Sequence, residues 1–359
     1  MNVMRRQPIE DASVWTGADL EADRSWSYQL EPVHLNELAE ALKVANARGL
    51  GMPELTAENF PLPTLSRTMA DIGRDLKSGR GFALLSGFPV DDYPIEDLET
   101  LYWGLCSHIG TGLSQNSDGG FIHYVTVGKR RPNQGTRGVG FPKRSPLHVD
   151  LMDIVSLLCV RPAPDDPPSW IASSAAIYNE FLRRYPEHLP RLLDGVEWDR
   201  MDEHGEGESP SSGYRVPIFS EADGQMSCRY NRHWMASASR RNLGAVPAED
   251  EALYDLFDEL ANEVRFEFPF RAGDIQFANN YTALHGRAAH TEESEEERQR
   301  LLMRIWLDVP GFRNFADEAI MRYGIGRHGQ LGWSAEDMVS GRNRRPRARR
   351  TDGAIALDD

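Results

Sequence analysis

SPLHVDLMDIVSLLCVRP, residues 145–162, places His148 and Asp150 two positions apart at the entrance to an apolar, β-branched-rich run. On an extended strand, side chains at i and i+2 point to one face. An imidazole nitrogen and a carboxylate oxygen can then converge on one cation, whereas a helix would splay them. A third ligand has to come from elsewhere. GDIQFANNYTALHGR (273–287) supplies it, because a Gly-Asp turn starts a second strand-like run that ends on His285. Two histidines and one carboxylate on one face of a metal leave coordination positions open, as in non-haem Fe(II) oxygenases. A His-x-Asp pair alone is a weak signal, and Zn²⁺ accepts the same donors.

Further along, RQRLLMRIWLDVP (298–310) alternates when read as a strand. Leu301, Met303, Ile305, Leu307 and Val309 share one face; Arg300, Leu302, Arg304, Trp306 and Asp308 share the other. Arg300 and Arg304 then project from one face roughly 13 Å apart at ~3.3 Å per residue. A buried arginine without a partner is costly, and a guanidinium grips a carboxylate with a bidentate fork. Pairing with protein carboxylates, or an amphipathic helix with both arginines solvated, would also explain the pattern. Beside a His-x-Asp…His set, however, a carboxylate clamp describes a pocket for Fe(II) and 2-oxoglutarate.

The rest of the chain sets the frame. Its 359 residues, with 40% hydrophobic and 26% charged residues, can bury a sizeable core. Helical spacing predicts helices at 34–48, 65–77, 95–109, 175–185 and 249–264, with a buried strand in GFALLSGFP (81–89). Short strands are predicted at 122–127, 154–160, 216–219, 225–230, 265–269, 274–279 and 301–309, which suggests a sandwich or barrel. GEGESPSSG (205–213) reads as a loop and TEESEEE (291–297) as a solvated connection. No internal repeat and no linker between halves is visible. We expect one domain over 1–335 and a flexible tail over 336–359, whose basic run RNRRPRARR (342–350) is read as a solvated end.

The net charge of −15 argues against nucleic acid as a partner. No run is apolar and long enough to span a bilayer, and the N-terminus lacks a secretory pattern. Cys106, Cys159 and Cys228 imply no disulfide framework, so a cytoplasmic protein is expected. The partner expected is a small molecule; whether the chain forms a homo-oligomer is left open.

These pieces together resemble the taurine dioxygenase/clavaminate synthase-like (TauD/TfdA) family of Fe(II)/2-oxoglutarate dioxygenases. The resemblance runs over roughly residues 80–310 and is carried by GFALLSGFP, LHVD, SWIASSAAIYNEFLRRYPEHL, MSCRYNR, GDIQFANNYTALHGR and RLLMRIWL. It implies an α+β fold: a double-stranded β-helix (jelly-roll) core with surrounding helices and a helical insertion. His148, Asp150 and His285 fall on the family's iron ligands, and Arg300 on the arginine that clamps the C5 carboxylate of 2-oxoglutarate. Ser169 falls near the Thr/Ser that bonds the same carboxylate; members often have Gly-Gly-x-Thr/Ser where this chain has Pro167-Pro168-Ser169. Arg304 falls on a second arginine that contacts cosubstrate or substrate acid groups, and Asn280 on a site-lining asparagine five residues before the distal histidine. Related halogenases replace the metal carboxylate by Ala or Gly. Asp150 is present, which favours hydroxylation with release of succinate and CO₂. Desaturation and ring closure belong to the same mechanism class.

Substrate contacts are sought in Ser114-Gln115-Asn116 and in RGVGFPKR (137–144), with Arg229 and Arg232 as further candidates. Ordinary surface-loop or ion-pairing roles stand beside those readings. A zinc hydrolase and a non-catalytic jelly-roll binding protein are the alternatives from other classes.

Overall fold

The apolar run after Asp150 forms a strand buried on both faces. Ile154 and Leu158 point into one hydrophobic cluster, Val155 and Cys159 into the other. Continuous hydrophobicity of this kind marks a central strand between two layers. In the computed structural model, residues 7–126, 143–165, 167–291, 294–295, 298–317 and 331–341 are described.

The strands are β1 (Ser27–Gln29), β2 (Phe82–Ser86), β3 (Thr111–Leu113), β4 (His123–Val125), β5 (Ser145–His148), β6 (Ile154–Arg161), β7 (Ser169–Ser173), β8 (Phe219–Ala222), β9 (Gln225–Cys228), β10 (Phe266–Phe268), β11 (Ile275–Asn279), β12 (Ala283–Arg287) and β13 (Leu301–Asp308). Among the described residues the larger sheet runs β1-β2-β11-β6-β13-β3, with β4 also paired to β13. The smaller sheet runs β10-β7-β12-β5, and β8-β9 form a separate hairpin.

Helices α2 (Pro32–Ala47), α3 (Leu65–Ser78) and α4 (Ile95–Cys106) cover the outer face of the larger sheet. Their buried residues follow helical spacing: Leu38, Ala41, Leu42 and Ala45 on α2, and Leu65, Met69, Ile72 and Leu76 on α3. Tyr102 of α4 donates to Ser156 Oγ of β6 at 2.6 Å, which satisfies both buried hydroxyls. The other face of the larger sheet meets the smaller one. Trp26 and Phe82 on the β1–β2 side pack against Phe266 and Phe268 of β10.

Between β7 and β10 the chain makes α5 (Ser174–Arg184), α6 (Leu189–Asp194), the β8–β9 hairpin, α7 (Arg232–Leu243) and α8 (Ala248–Val264). α8 packs on α5, β5 and β7, and Phe257 stacks on Tyr230 with centroids 3.7 Å apart. A short helix α1 (Gly17–Ala22) precedes β1.

The predicted helices and longer strands are present with shifts of a few residues at their ends, and β8 starts at Phe219 rather than 216. Residues 205–213 hold no helix or strand. The three-residue β1 and β3, the strand β7, and the helices α1, α6 and α7 were not foreseen. Past Gly332, α9 (Ala335–Ser340) crosses the boundary expected at 335; Ser334 caps it, bonding Asp337 in both directions. The basic run 342–350 lies outside the described residues. No helix among the described residues is long and apolar enough to cross a membrane.

Candidate metal centre

β5 and β12 are antiparallel neighbours, and their register sets His148 directly opposite His285. The ring centroids lie 4.4 Å apart. The ladder shifts register between His285 and Arg287, and Gly286 makes the close approach possible. A Cβ there would meet Ser145 O at 2.7 Å and Leu147 N at 3.0 Å.

Asp150 completes the set: one ligand atom from each of His148, Asp150 and His285 lies within 4.8 Å of the others. The strand ends at His148, so Asp150 sits in the turn beyond it rather than on the strand itself. Five hydrogen bonds hold that turn. Val149 N–H donates to Tyr230 O at 2.9 Å, and Asp150 N–H donates to Asn280 Oδ1 at 2.9 Å. Asn280 Nδ2 donates to Met152 O at 2.9 Å. The buried Arg229 donates to Asp150 O at 2.8 Å and to Leu151 O, with its guanidinium over the Tyr281 ring.

Electrostatics suit a cation. His148 Nδ1 lies 2.7 Å from Pro146 O, which places the proton on Nδ1 and leaves the Nε2 lone pair facing Asp150 Oδ1 at 3.8 Å. Burial, with the neighbouring His148, lowers the pKa of His285 to about 3, so its imidazole can offer a lone pair as well. Burial of Asp150 favours its neutral form. The adjacent Arg304 guanidinium and the Trp306 hydrogen bond outweigh this and hold the carboxyl well below the usual range. Two imidazoles and one anionic carboxylate fit a divalent metal.

The far oxygen of Asp150 is engaged. Oδ2 accepts from Trp306 Nε1 at 2.8 Å and from Arg304 Nη1 at 3.2 Å. Arg304 and Trp306 lie two apart on β13, on the face opposite Met303 and Ile305, as the alternation predicts. Arg304 Nε donates to Gln115 Oε1 at 2.8 Å, and Gln115 Nε2 donates back to Arg304 O at 2.6 Å.

The other expected site residues fall as follows. Arg300 is buried immediately before β13. Ser169 is buried as the first residue of β7; its register partner is Arg287, two residues from the Ile171–His285 pair, so it shares the sheet face of His285. For three residues the structure assigns other partners than those expected. Asn280 uses both amide atoms on the backbone of 150–152, and Gln115 holds Arg304. Asn116 Oδ1 closes its own turn by accepting from Asp118 N and Gly120 N, both at 3.0 Å. Arg232 makes ion pairs with Glu251, Asp255 and Asp258, and Arg144 lies over the Trp170 ring. Residues 137–142 lie outside the described residues. Sequence reasoning missed the roles of Arg229 and Trp306. The signal for Trp306 was its place on the Arg304 face.

Comparison with known proteins bears on this geometry. Residues 46–306 match the family described as "Taurine catabolism dioxygenase TauD, TfdA family". The chain belongs to this family of dioxygenases. Among similar proteins, FR-33289 synthase of Streptomyces rubellomurinus is 31% identical over 317 residues, covering 86% of this chain and 93% of that protein. Taurine hydroxylase-like protein SAT17 of Stachybotrys chartarum is 28% identical over 315 residues, covering 84% and 80%. Among solved structures, the non-heme iron oxygenase OrfP in complex with Fe, succinate and (3S)-hydroxy-L-Arg superposes with a TM-score of 0.57 at 16% identity, over 79% of this chain and 94% of that one. Asparagine oxygenase in complex with Fe(II), 2S,3S-3-hydroxyasparagine and succinate gives 0.58 at 13% identity, over 79% and 93%. At these identities the structural likeness is one of fold.

Proposed function

We propose that this family member uses Fe(II), 2-oxoglutarate and O₂ to hydroxylate a small organic molecule bearing an acid group, of the amino-acid or secondary-metabolite-intermediate class. The observation that carries this reading is the convergence of two imidazoles and one carboxylate within 4.8 Å. The jelly-roll reading of the fold is supported by two sheets packed face to face, with both histidines of the triad carried by neighbouring strands of the smaller one.

His148 Nε2, Asp150 Oδ1 and His285 would hold the metal. Arg300 and Ser169 would hold the distal carboxylate of 2-oxoglutarate, Arg300 by its fork and Ser169 by its hydroxyl. When bound, the metal and cosubstrate supply the oxidising chemistry, with 2-oxoglutarate ending as succinate and CO₂. The protein orients, excludes water and fixes charge. Family relatives support the substrate class: OrfP and asparagine oxygenase are solved with hydroxylated amino acids. The three buried free cysteines fit a reducing cytoplasm.

The test is O₂ uptake by the Fe(II)-loaded protein with 2-oxoglutarate and pools of amino and organic acids. A product heavier by one oxygen, formed together with succinate, supports the reading. Absence of 2-oxoglutarate turnover across the pools, with the metal bound, contradicts it.

A further inference from the structure

We propose that Gln115 is a positioning residue for the metal carboxylate. It fixes the guanidinium of Arg304, which together with the Trp306 indole occupies one oxygen of Asp150 and leaves the other for the metal. The inference rests on reading His148, Asp150 and His285 as a metal triad.

Gln115 grips Arg304 at both ends. Its Oε1 accepts from Arg304 Nε at 2.8 Å, while its Nε2 donates to Arg304 O at 2.6 Å and to Phe121 O at 2.8 Å. A side chain at 115 has to face an N–H donor with one atom and two carbonyl oxygens with another. A primary amide does both. Glutamate would set an anion against two carbonyls, and methionine would meet neither need.

The gripped guanidinium lies over the Trp306 ring, 4.9 Å from its centroid. Both groups then donate to Asp150 Oδ2. Oδ1 is the oxygen that faces His148 Nε2. The two carboxylate oxygens therefore have separate partners, and a metal in the triad meets Asp150 through Oδ1 alone. One-oxygen ligation keeps a further coordination position open for cosubstrate or O₂.

The loop that carries Gln115 is itself braced. Gln115 N–H donates to Gly120 O at 2.8 Å, and Ser117 N–H to the buried Glu203 Oε2 at 2.6 Å. Ser114 is bonded from both sides by Gly332 and Trp333. The grip is applied from a fixed support, so it can set the rotamer of a long and otherwise adaptable arginine. This differs from the acid-binding role expected of Arg304: its Nε and Nη1 are turned to Gln115 and Asp150.

The experiment compares the full chain with Gln115→Met and Trp306→Phe, titrating each metal-free protein with Co²⁺ and recording the visible ligand-field spectrum. Loss of a partner of a ligating carboxylate typically weakens metal binding by about 10–100-fold, and both variants should show it. Their Co²⁺ spectra should also change, as Asp150 becomes free to chelate through both oxygens. Affinities within twofold of the parent with an unaltered spectrum, whatever happens to thermal stability, would overturn the proposal. So would a change confined to substrate KM, which would return Gln115 to the substrate pocket. His148→Ala serves as the control for metal binding. If the unmodified protein itself takes up no Co²⁺, the triad reading fails and this inference with it; normal uptake by parent and variants alike removes the inference only.

Discussion

Replacing Asn280 by alanine tests whether the metal carboxylate is held by its own side chain or by the turn beneath it. The Asn280 amide is fully buried and bridges two backbone groups of the ligand turn, accepting from Asp150 N and donating to Met152 O, both at 2.9 Å. Alanine leaves one buried N–H and one buried C=O without these partners. At about 1–3 kcal/mol for each unsatisfied group, the cost is about 2–6 kcal/mol. Urea unfolding of the metal-free protein should show the loss as a lower midpoint with an unchanged slope. Using metal-free protein keeps ligand linkage out of the comparison. The same variant should bind Co²⁺ or Fe²⁺ at least tenfold more weakly, because Asp150 is no longer held by its own N–H. Asn280→Asp refines the test. Its acceptor to Asp150 N–H survives, but an oxygen now faces Met152 O unless the new carboxyl is protonated. Burial beside Asp150 raises that group's folded pKa above its unfolded value. The variant's relative stability is therefore greatest at acid pH and falls as pH rises through the folded pKa. A loss below 1 kcal/mol for the alanine variant, with unchanged metal affinity, would refute the reasoning.

Asp150→Ala should abolish metal uptake and substrate-dependent succinate formation; retained activity would remove Asp150 from the site. Gly286→Ala should weaken metal binding and lower thermal stability by about 1–3 kcal/mol, as for an overpacked core, because its Cβ would press on Ser145 O and part β5 from β12. In the metal-free protein, stability should fall on acidification from neutral pH toward pH 4. His285 has a folded pKa of about 3, so below about pH 6.5 the unfolded chain takes a proton that the folded chain refuses. At about 1.4 kcal/mol per pKa unit the full effect is about 5 kcal/mol. Denaturation at several pH values should show this slope, and His285→Phe should flatten it.

The residues of the proposed triad were legible because their chemistry survives in one dimension. A His-x-Asp at the head of an apolar strand and a histidine ending another restrict the possibilities, and the alternation of 301–308 already separated Arg304 and Trp306 from the helix-facing residues. What the sequence leaves dark is who answers whom. Asn280 and Arg229 reach the backbone of 150–152 from distant positions, and nothing local in NNY or CRYN distinguishes that from facing a ligand. Gln115 and Asn116 looked like pocket polar groups for the same reason. β1 and β3 are too short to generate a period, and α7 carries mostly polar residues, so its Asn231 cap was the main local signal.

His148 stands at the end of β5, which among the described residues is hydrogen-bonded within its sheet only to β12, while His285 lies on β12 inside the same sheet. An ion held by both is a staple driven through the last two strands. At a hundredfold excess over Kd it adds about 2.7 kcal/mol to the folded state, concentrated where the ladder is thinnest. Peeling β5 from the sheet and releasing the ion then become one event. The rate at which the protein loses its metal reads out how often that edge opens.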